Sequence, residues 1–320
     1  MLTLKSPAKI NWFLNILGLR DDGFHEIQSL MQKITLYDVL TFAPSMDLEL
    51  ETDSVIPVKQ NLVYKAAILL KNTYEIDKGA LITLNKNIPV GAGLGGGSSN
   101  AATALLGLNE LWSLNLSPEA LCIMAGQLGS DVPFFLCGAI SLSHGRGEKI
   151  TPCKTKKTVN LLLVKPPFPV STAWAYGEFK SRIHTIEHKT RVNTSHPPIL
   201  KGENLSPNSK LRTQNSELSS KLTKKADIVD NIEFLIRLIE RTEFRDITDI
   251  VSNDLESVTI KSFPVISEIK DRLIKQGAIF SLMSGSGPTV FGVFRSAEEA
   301  ENASKAFKGY WTTVVQTITE

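Results

Sequence analysis

The chain has 320 residues, of which 42% are hydrophobic, and a formal net charge of +2 at pH 7. So small a charge gives no global attraction to nucleic acid or to an anionic membrane surface. No apolar run approaches the length of a membrane span, and the length accommodates two domains with separate cores.

Residues 1–7 lack the apolar core and cleavage site of a signal peptide. Cys122, Cys137 and Cys153 are odd in number, widely spaced and without histidines at metal spacing. They read as buried thiols in a reducing compartment, and a cytoplasmic protein is expected. Alternating apolar residues predict strands over 2–5, 10–16, 48–51 and 81–84, and a helix over 61–70. Lys9 places a cation at the start of the second of these strands, in the segment Pro7-Ala8-Lys9-Ile10-Asn11.

A glycine-dense run follows, from Pro89 through Val90, Gly91, Ala92, Gly93, Leu94, Gly95, Gly96, Gly97, Ser98 and Ser99 to Asn100. It leads into a helix with Ala101, Leu105, Leu108 and Trp112 on one face. Glycines let backbone approach an anion closely, and the helix start directs unpaired N–H groups at it. Ser98 and Ser99 add hydroxyl donors. No Lys follows as in a Walker A loop, and the Rossmann reading lacks its second strand with an acidic end. A tight turn alone needs neither five glycines nor paired serines. The run reads as an anion-binding loop of another kind.

Ser117, Pro118 and Glu119 announce the next helix, which Gly129 ends. Asp131 then lies in an apolar stretch. The composition shifts over 151–157, and an apolar strand over 159–164 opens the second half. Residues 181–225 are polar and basic with no aromatic to stack on a base, which favours a solvated, partly mobile insertion over a nucleic-acid surface. Helices are predicted over 228–239 and 263–276. A strand over 279–283, the turn Ser284-Gly285-Ser286-Gly287-Pro288, a strand over 289–294, a helix and a final strand complete the chain. Ser296 and Glu299 form a capping box for that last helix. The pattern predicts an α+β fold with an N-terminal domain over 1–155 and a C-terminal domain over 156–320.

Taken singly, the second glycine turn reads as a hairpin, and Lys9 and Asp131 as surface charges. Together, Pro7-Ala8-Lys9-Ile10-Asn11, Gly23-Phe24-His25-Glu26-Ile27, the loop from Pro89 to Ala102, Gly129-Ser130-Asp131-Val132-Pro133 and Gly285-Ser286-Gly287 resemble the GHMP superfamily of small-molecule kinases. The match is closer to the branch whose acceptor carries a cytidine diphosphate. The resemblance spans nearly all the chain except the polar insertion, and implies a two-domain fold with the active site in the interdomain cleft.

The resemblance implies that Asp131 receives the proton of the acceptor hydroxyl and that Lys9 is its cationic partner; a structural ion pair is the alternative. It places ATP along Pro89–Ser99, with Asn61 and Lys86 near the adenosine, and Mg²⁺ with the phosphates. Ser98 or Ser99 is a candidate metal ligand, since Mg²⁺ often keeps most of its water. Asn11, Phe24, His25, Tyr176, Gly285 and Ser286 fall to the acceptor. Phe24 stacks on the cytosine and His25 hydrogen-bonds its polar edge, with core packing and a satisfied buried histidine as the alternatives. Phe24 stands where the family usually has Tyr. Tyr176 or the nearby Trp174 supplies the other face. The implied acceptor is 4-diphosphocytidyl-2-C-methyl-D-erythritol, phosphorylated on its 2-hydroxyl in non-mevalonate isoprenoid synthesis, by a monomer or homodimer with no nucleic-acid or membrane partner. The rival readings are another kinase of the superfamily, acting on mevalonate, homoserine or a sugar, and a non-catalytic nucleotide sensor.

Overall fold

The computed structural model describes residues 1–182, 232–243 and 251–319. The strand β2 (His25–Ser45) is the axis of a six-stranded sheet. Along one edge it pairs antiparallel with β1 (Leu2–Leu19). Its other edge holds β4 (Gly79–Asn85) at one end and β5 (Ile140–Gly145) at the other. The strands β3 (Leu48–Thr52) and β6 (Lys149–Cys153) add to β4 and β5 in turn. A second, antiparallel sheet contains β7 (Asn160–Lys165), β8 (Phe280–Met283), β9 (Val290–Phe294) and β10 (Trp311–Gln316), in the order β10-β7-β9-β8.

The helices in chain order are α1 (Leu62–Thr73), α2 (Gly96–Leu111), α3 (Pro118–Leu128), α4 (Val132–Leu136), α5 (172–182), α6 (Ile232–Arg241), α7 (Glu256–Ser262), α8 (Val265–Lys275) and α9 (Ala297–Ser304). The first sheet buries Leu40, Phe42 and Ile82 against Ala66, Leu70, Leu105 and Leu108 of α1 and α2. Its Trp12, Phe13, Leu30 and Ile34 join Leu161, Leu163, Phe291 and Val293 of the second sheet in another core. Trp12 and Phe291 meet edge to face there, 5.7 Å between ring centres. The second sheet packs Leu162, Val164 and Phe294 against Ile269, Leu273 and Ala300 of α8 and α9. Apolar burial on both faces of both sheets supplies the main favourable term for this layered arrangement. The expected α+β, two-domain fold is present.

Several elements differ from expectation. The two predicted strands at the start are one, because residues 6–16 are buried at almost every position and alternation is lost. The 21-residue β2 was not predicted; Gln28, Ser29, Gln32 and Asp38 break its apolar pattern although each is buried. Helix α2 begins at Gly96, inside the glycine run rather than after it. Ser117 caps α3 as expected, accepting from the Ala120 N–H at 3.3 Å. Ser296 likewise accepts from Glu299 N–H at 3.1 Å, but the Glu299 carboxylate accepts from Arg295 N–H instead of completing the box. The three thiols are free and half-buried rather than buried. Of the predicted insertion, residues 183–225 lie outside the described residues, as do 228–231 of the helix predicted to follow.

Gly107 lies inside α2, where its lack of a Cβ lets Phe42 of β2 pack against the helix backbone; a Cβ would stand 2.5 Å from Phe42 Cζ. Overpacking costs about 1–3 kcal/mol, against about 1 kcal/mol of helix propensity gained by alanine. Three atoms of the Phe42 ring would stand within 3 Å of that Cβ, which puts the clash in the upper part of that range, so Gly107→Ala is expected to lower stability by about 1–2 kcal/mol. Chemical denaturation checks this: an unchanged or higher midpoint would contradict the packing.

Candidate active site

A cleft of about 750 Å³ opens where β1, β2, the glycine run, α5 and the turn after β8 converge. Every residue from Pro89 to Ser98 lines it. Gly93, at φ +77°, has no room for a Cβ beside the Ser284 carbonyl, because the run crosses the β8–β9 turn there. Ser284 Oγ donates to the Gly93 carbonyl at 3.0 Å, and Thr289 N–H to the Ala92 carbonyl at 3.3 Å. Gly95, left-handed at φ 70°, is the N-cap of α2. The N–H groups of Gly96, Gly97 and Ser98 therefore have no acceptor within the helix, and all three residues line the cleft. Ser99 does not share that role. Its N–H closes the first helical bond to Gly95 at 2.9 Å, and its fully buried hydroxyl accepts from Ser6 Oγ at 2.7 Å. Ser99 is the first residue of the run that does not line the cleft: its side chain turns to Ser6 in the interior, so the expected place for it along the bound anion is corrected.

Lys9 stands at the centre. Its N–H donates to the Leu94 carbonyl at 2.9 Å, tying β1 to the glycine run. Its ammonium, 3% exposed as a residue, donates to Asn11 Oδ1 at 2.5 Å and lies 3.7 Å from Asp131 Oδ2. Burial pulls the Lys9 pKa below the ordinary lysine value, and the Asp131 carboxylate opposes that pull. Asn11 is oriented in turn by Ser29, which accepts from Asn11 Nδ2 at 2.8 Å. Asp131 precedes α4, and its carboxylate makes no capping bond, so it stays available to the cleft. At the other end of α4, Lys33 donates to the carbonyls of Phe135 and Cys137 at 3.1 and 2.6 Å, fixing the short helix that carries Asp131.

The second glycine turn closes over the same point. A Cβ on Gly285 would lie 3.2 Å from Lys9 Nζ and 3.0 Å from the Gly93 carbonyl. Asn253 holds this turn, donating to the carbonyls of Met283 and Gly285 at 2.9 and 2.6 Å. Ser286 shares a 3.0 Å hydrogen bond with Thr172 at the start of α5.

The far end of the cleft is aromatic. Tyr176 tilts over His25, with 5.4 Å between ring centres, and Phe179 meets the imidazole edge-on at 6.2 Å. Trp174 instead packs against Phe263, so of the two candidates Tyr176 lines the cleft. His25 Nε2 is buried without a hydrogen-bond partner, which marks it as a group awaiting one. Burial, and then the Lys180 ammonium, hold the His25 pKa below 6.5. Phe24 is 52% exposed and carries the Arg146 guanidinium 4.7 Å above its ring. Core packing is thereby excluded for Phe24.

Lys86 and Asn61 line the same cleft as the glycine run. Asn61 also caps α1, its Oδ1 accepting from Val63 N–H at 3.0 Å. Lys86 is paired with buried Asp38. The sequence reading missed Asp38, Arg146, Asn253 and Lys180, whose partners lie on elements far away in the chain. Among the described residues no group of three His, Cys, Asp or Glu is placed to hold a metal ion, and no helix is long and apolar enough to cross a membrane.

A glycine-rich helix start, a buried ammonium beside a carboxylate and a second glycine turn in one cleft define a class of phosphoryl-transfer architecture. Residues 61–139 match the family model of the GHMP kinases N terminal domain, and residues 235–312 that of the GHMP kinases C terminal. With the relatives below, this shows that the chain belongs to the GHMP kinase superfamily. It is 43% identical over 320 residues to the 4-diphosphocytidyl-2-C-methyl-D-erythritol kinase of Thermodesulfovibrio yellowstonii, covering 100% of this chain and 99% of the relative. The enzyme of that name from Pelotomaculum thermopropionicum is 40% identical over 312 residues, covering 96% and 94%. A crystal structure of 4-(cytidine 5'-diphospho)-2C-methyl-D-erythritol kinase matches with a TM-score of 0.71 at 28% identity, over 98% of this chain and 99% of that one.

The His25 environment has a measurable consequence. Its ring is expected to titrate below 6.5 in the free protein. Lys180→Gln removes a like charge that disfavours the imidazolium, so the midpoint should rise while burial keeps it below the ordinary value. Imidazole NMR reads both; a wild-type midpoint at or above 6.5 would contradict the burial.

Proposed function

We propose that this protein transfers the γ-phosphoryl group of ATP to the 2-hydroxyl of 4-diphosphocytidyl-2-C-methyl-D-erythritol. The observation that carries the reading is the Lys9–Asp131 pair, 3.7 Å apart between a glycine-rich helix start and an aromatic pocket. The acceptor is inferred from that pocket together with the whole-length similarity to relatives bearing this activity in their names. The exposed face of Phe24, the His25–Tyr176 pair and the unpartnered His25 Nε2 suit a flat base with a polar edge. Mevalonate, homoserine and sugars have no such base.

In this reading ATP lies along Pro89–Ser98, its phosphates taking the N–H groups at the start of α2. Asp131 orients the acceptor hydroxyl and receives its proton. A carboxylate is a weak base, which suffices because a loose phosphoryl transfer needs orientation more than early proton removal. Lys9 stabilises charge developing on the attacking oxygen and the migrating group. Asn11 and the backbone around Gly285 hold the Lys9 ammonium on station. The Ser98 hydroxyl and the half-exposed Asp131 carboxylate form a sparse donor set, which fits a Mg²⁺ ion carried mainly by phosphate oxygens and water. When bound, that ion neutralises phosphate charge.

Purified protein with ATP, Mg²⁺ and the cytidyl substrate is expected to form ADP and a new phosphomonoester in equal amounts. A folded protein that produces neither would refute the proposal. Asp131→Asn should keep ATP affinity and lower turnover by about 10²–10⁴-fold; near-normal turnover would remove Asp131 from its role. His25→Ala should raise KM for the cytidyl substrate more than KM for ATP, and CMP should compete with that substrate. Equal effects on both KM values, with no effect of CMP, would favour a different acceptor.

The Lys9 ammonium is the required form, and burial lowers its pKa. The alkaline limb of kcat/KM, which reports the free protein, should therefore fall below the 10.5 of an ordinary lysine. An alkaline limb at or above that value in a pH–rate profile would contradict the buried setting.

A further inference from the structure

Asp38 has no role in the chemistry described so far, yet it is fully buried and all its acceptor capacity is engaged. Oδ1 accepts the N–H groups of Asn87 and Ile88 at 2.7 and 2.8 Å. Oδ2 accepts from the Lys86 ammonium and from Asn100 Nδ2, the latter at 2.9 Å. Asn100 Nδ2 also reaches Ser6 Oγ at 2.9 Å, and Asn100 Oδ1 accepts from Lys86 Nζ at 3.0 Å. One carboxylate thus grips the chain just before the glycine run and, through Asn100, helix α2 just past its first turn.

The geometry at Lys86 shows what this grip does. An ammonium has three donors. Two are held by Asp38 and Asn100, and the side chain still lines the cleft. It stands against the start of α2, since a Cβ on Gly96 would be 3.3 Å from Lys86 Nζ. With two donors committed to Asp38 and Asn100, one remains for a group that enters the cleft beside the helix start. A lysine on a flexible stem would otherwise lose rotamer freedom on meeting an anion; here that freedom is already removed.

We propose that Asp38 is a positioning residue for the nucleotide: it acts through Lys86, holding that ammonium ready for the polyphosphate or its adjoining ribose and setting ATP affinity without touching ATP. The proposal rests on the assignment of this side of the cleft to ATP. Its alternative is a purely structural carboxylate that only closes the loop ends.

The test is a double-mutant cycle on direct ATP binding, measured by calorimetry in the presence of Mg²⁺, with Asp38→Asn, Lys86→Met and both together. Asp38→Asn is expected to weaken ATP binding about tenfold, the scale of a hydrogen bond to a charged group, and to leave CMP binding at the aromatic end unchanged. In the Lys86→Met background the same substitution should cost nothing further, because the residue it acts through is gone. Equal additional weakening in that background, or parallel loss of CMP affinity, would overturn the proposal in favour of the structural role. If Asp38→Asn alone does not fold, because an unpaired buried ammonium remains, the comparison of the double variant with Lys86→Met decides by the same criterion. Wild-type protein that binds CMP but no ATP would instead refute the nucleotide assignment itself, a result distinct from ATP binding that is indifferent to Asp38.

Discussion

An ammonium taken out of water must be compensated, and the answer to that requirement organises this molecule. Lys9 is buried at the meeting point of two sheets, a glycine run and a short helix. Asp131 supplies the opposing charge at 3.7 Å and Asn11 a hydrogen-bond acceptor at 2.5 Å. Even with both in place the burial is not fully offset, since the net effect on Lys9 remains a lowered pKa. The ammonium is thus less thoroughly satisfied than one in water. An anion arriving at the helix start would complete it, and binding and charge compensation become the same event.

Holding such a group requires polar residues where apolar ones would pack more simply, and β2 shows how the fold manages this. Ser29 orients Asn11, Lys33 anchors the helix bearing Asp131, and Asp38 secures both flanks of the glycine run. These residues lie on one strand running the length of the site. A single long strand is a rigid ruler, so the cation, the carboxylate and the loop keep a common frame. The second sheet contributes through Asn253, whose amide holds the turn at Gly285 over Lys9. Burial of Trp12, Phe13 and Phe291 between the sheets keeps those two halves in register.

The ease of reading these features in the sequence followed their physics. Helix α3 was legible because Ser117 and Pro118 act locally, and the glycine run because its residue types have few other uses. Strand β2 was not legible, since its buried Gln28, Ser29, Gln32 and Asp38 obey the site rather than the alternation of a half-covered sheet. Placing Lys9 beside Asp131 needed the family resemblance, because 122 residues separate them and neither motif alone exceeds a surface charge in meaning. Ser98 and Ser99 looked equivalent as letters; the buried partner Ser6, brought up by β1, separates the one that faces inward from the one that lines the cleft. Tyr176 and Trp174 were separated by their neighbours, His25 for one and Phe263 for the other.

The most direct measurement is a crystal structure with a non-hydrolysable ATP analogue and the cytidyl acceptor bound together. The account predicts the terminal phosphate at the start of α2, the acceptor hydroxyl within hydrogen-bond reach of the Asp131 carboxylate, and the Lys9 ammonium touching the groups that react. A reacting hydroxyl held by other residues, with Asp131 turned to solvent and Lys9 distant from the phosphate, would contradict it.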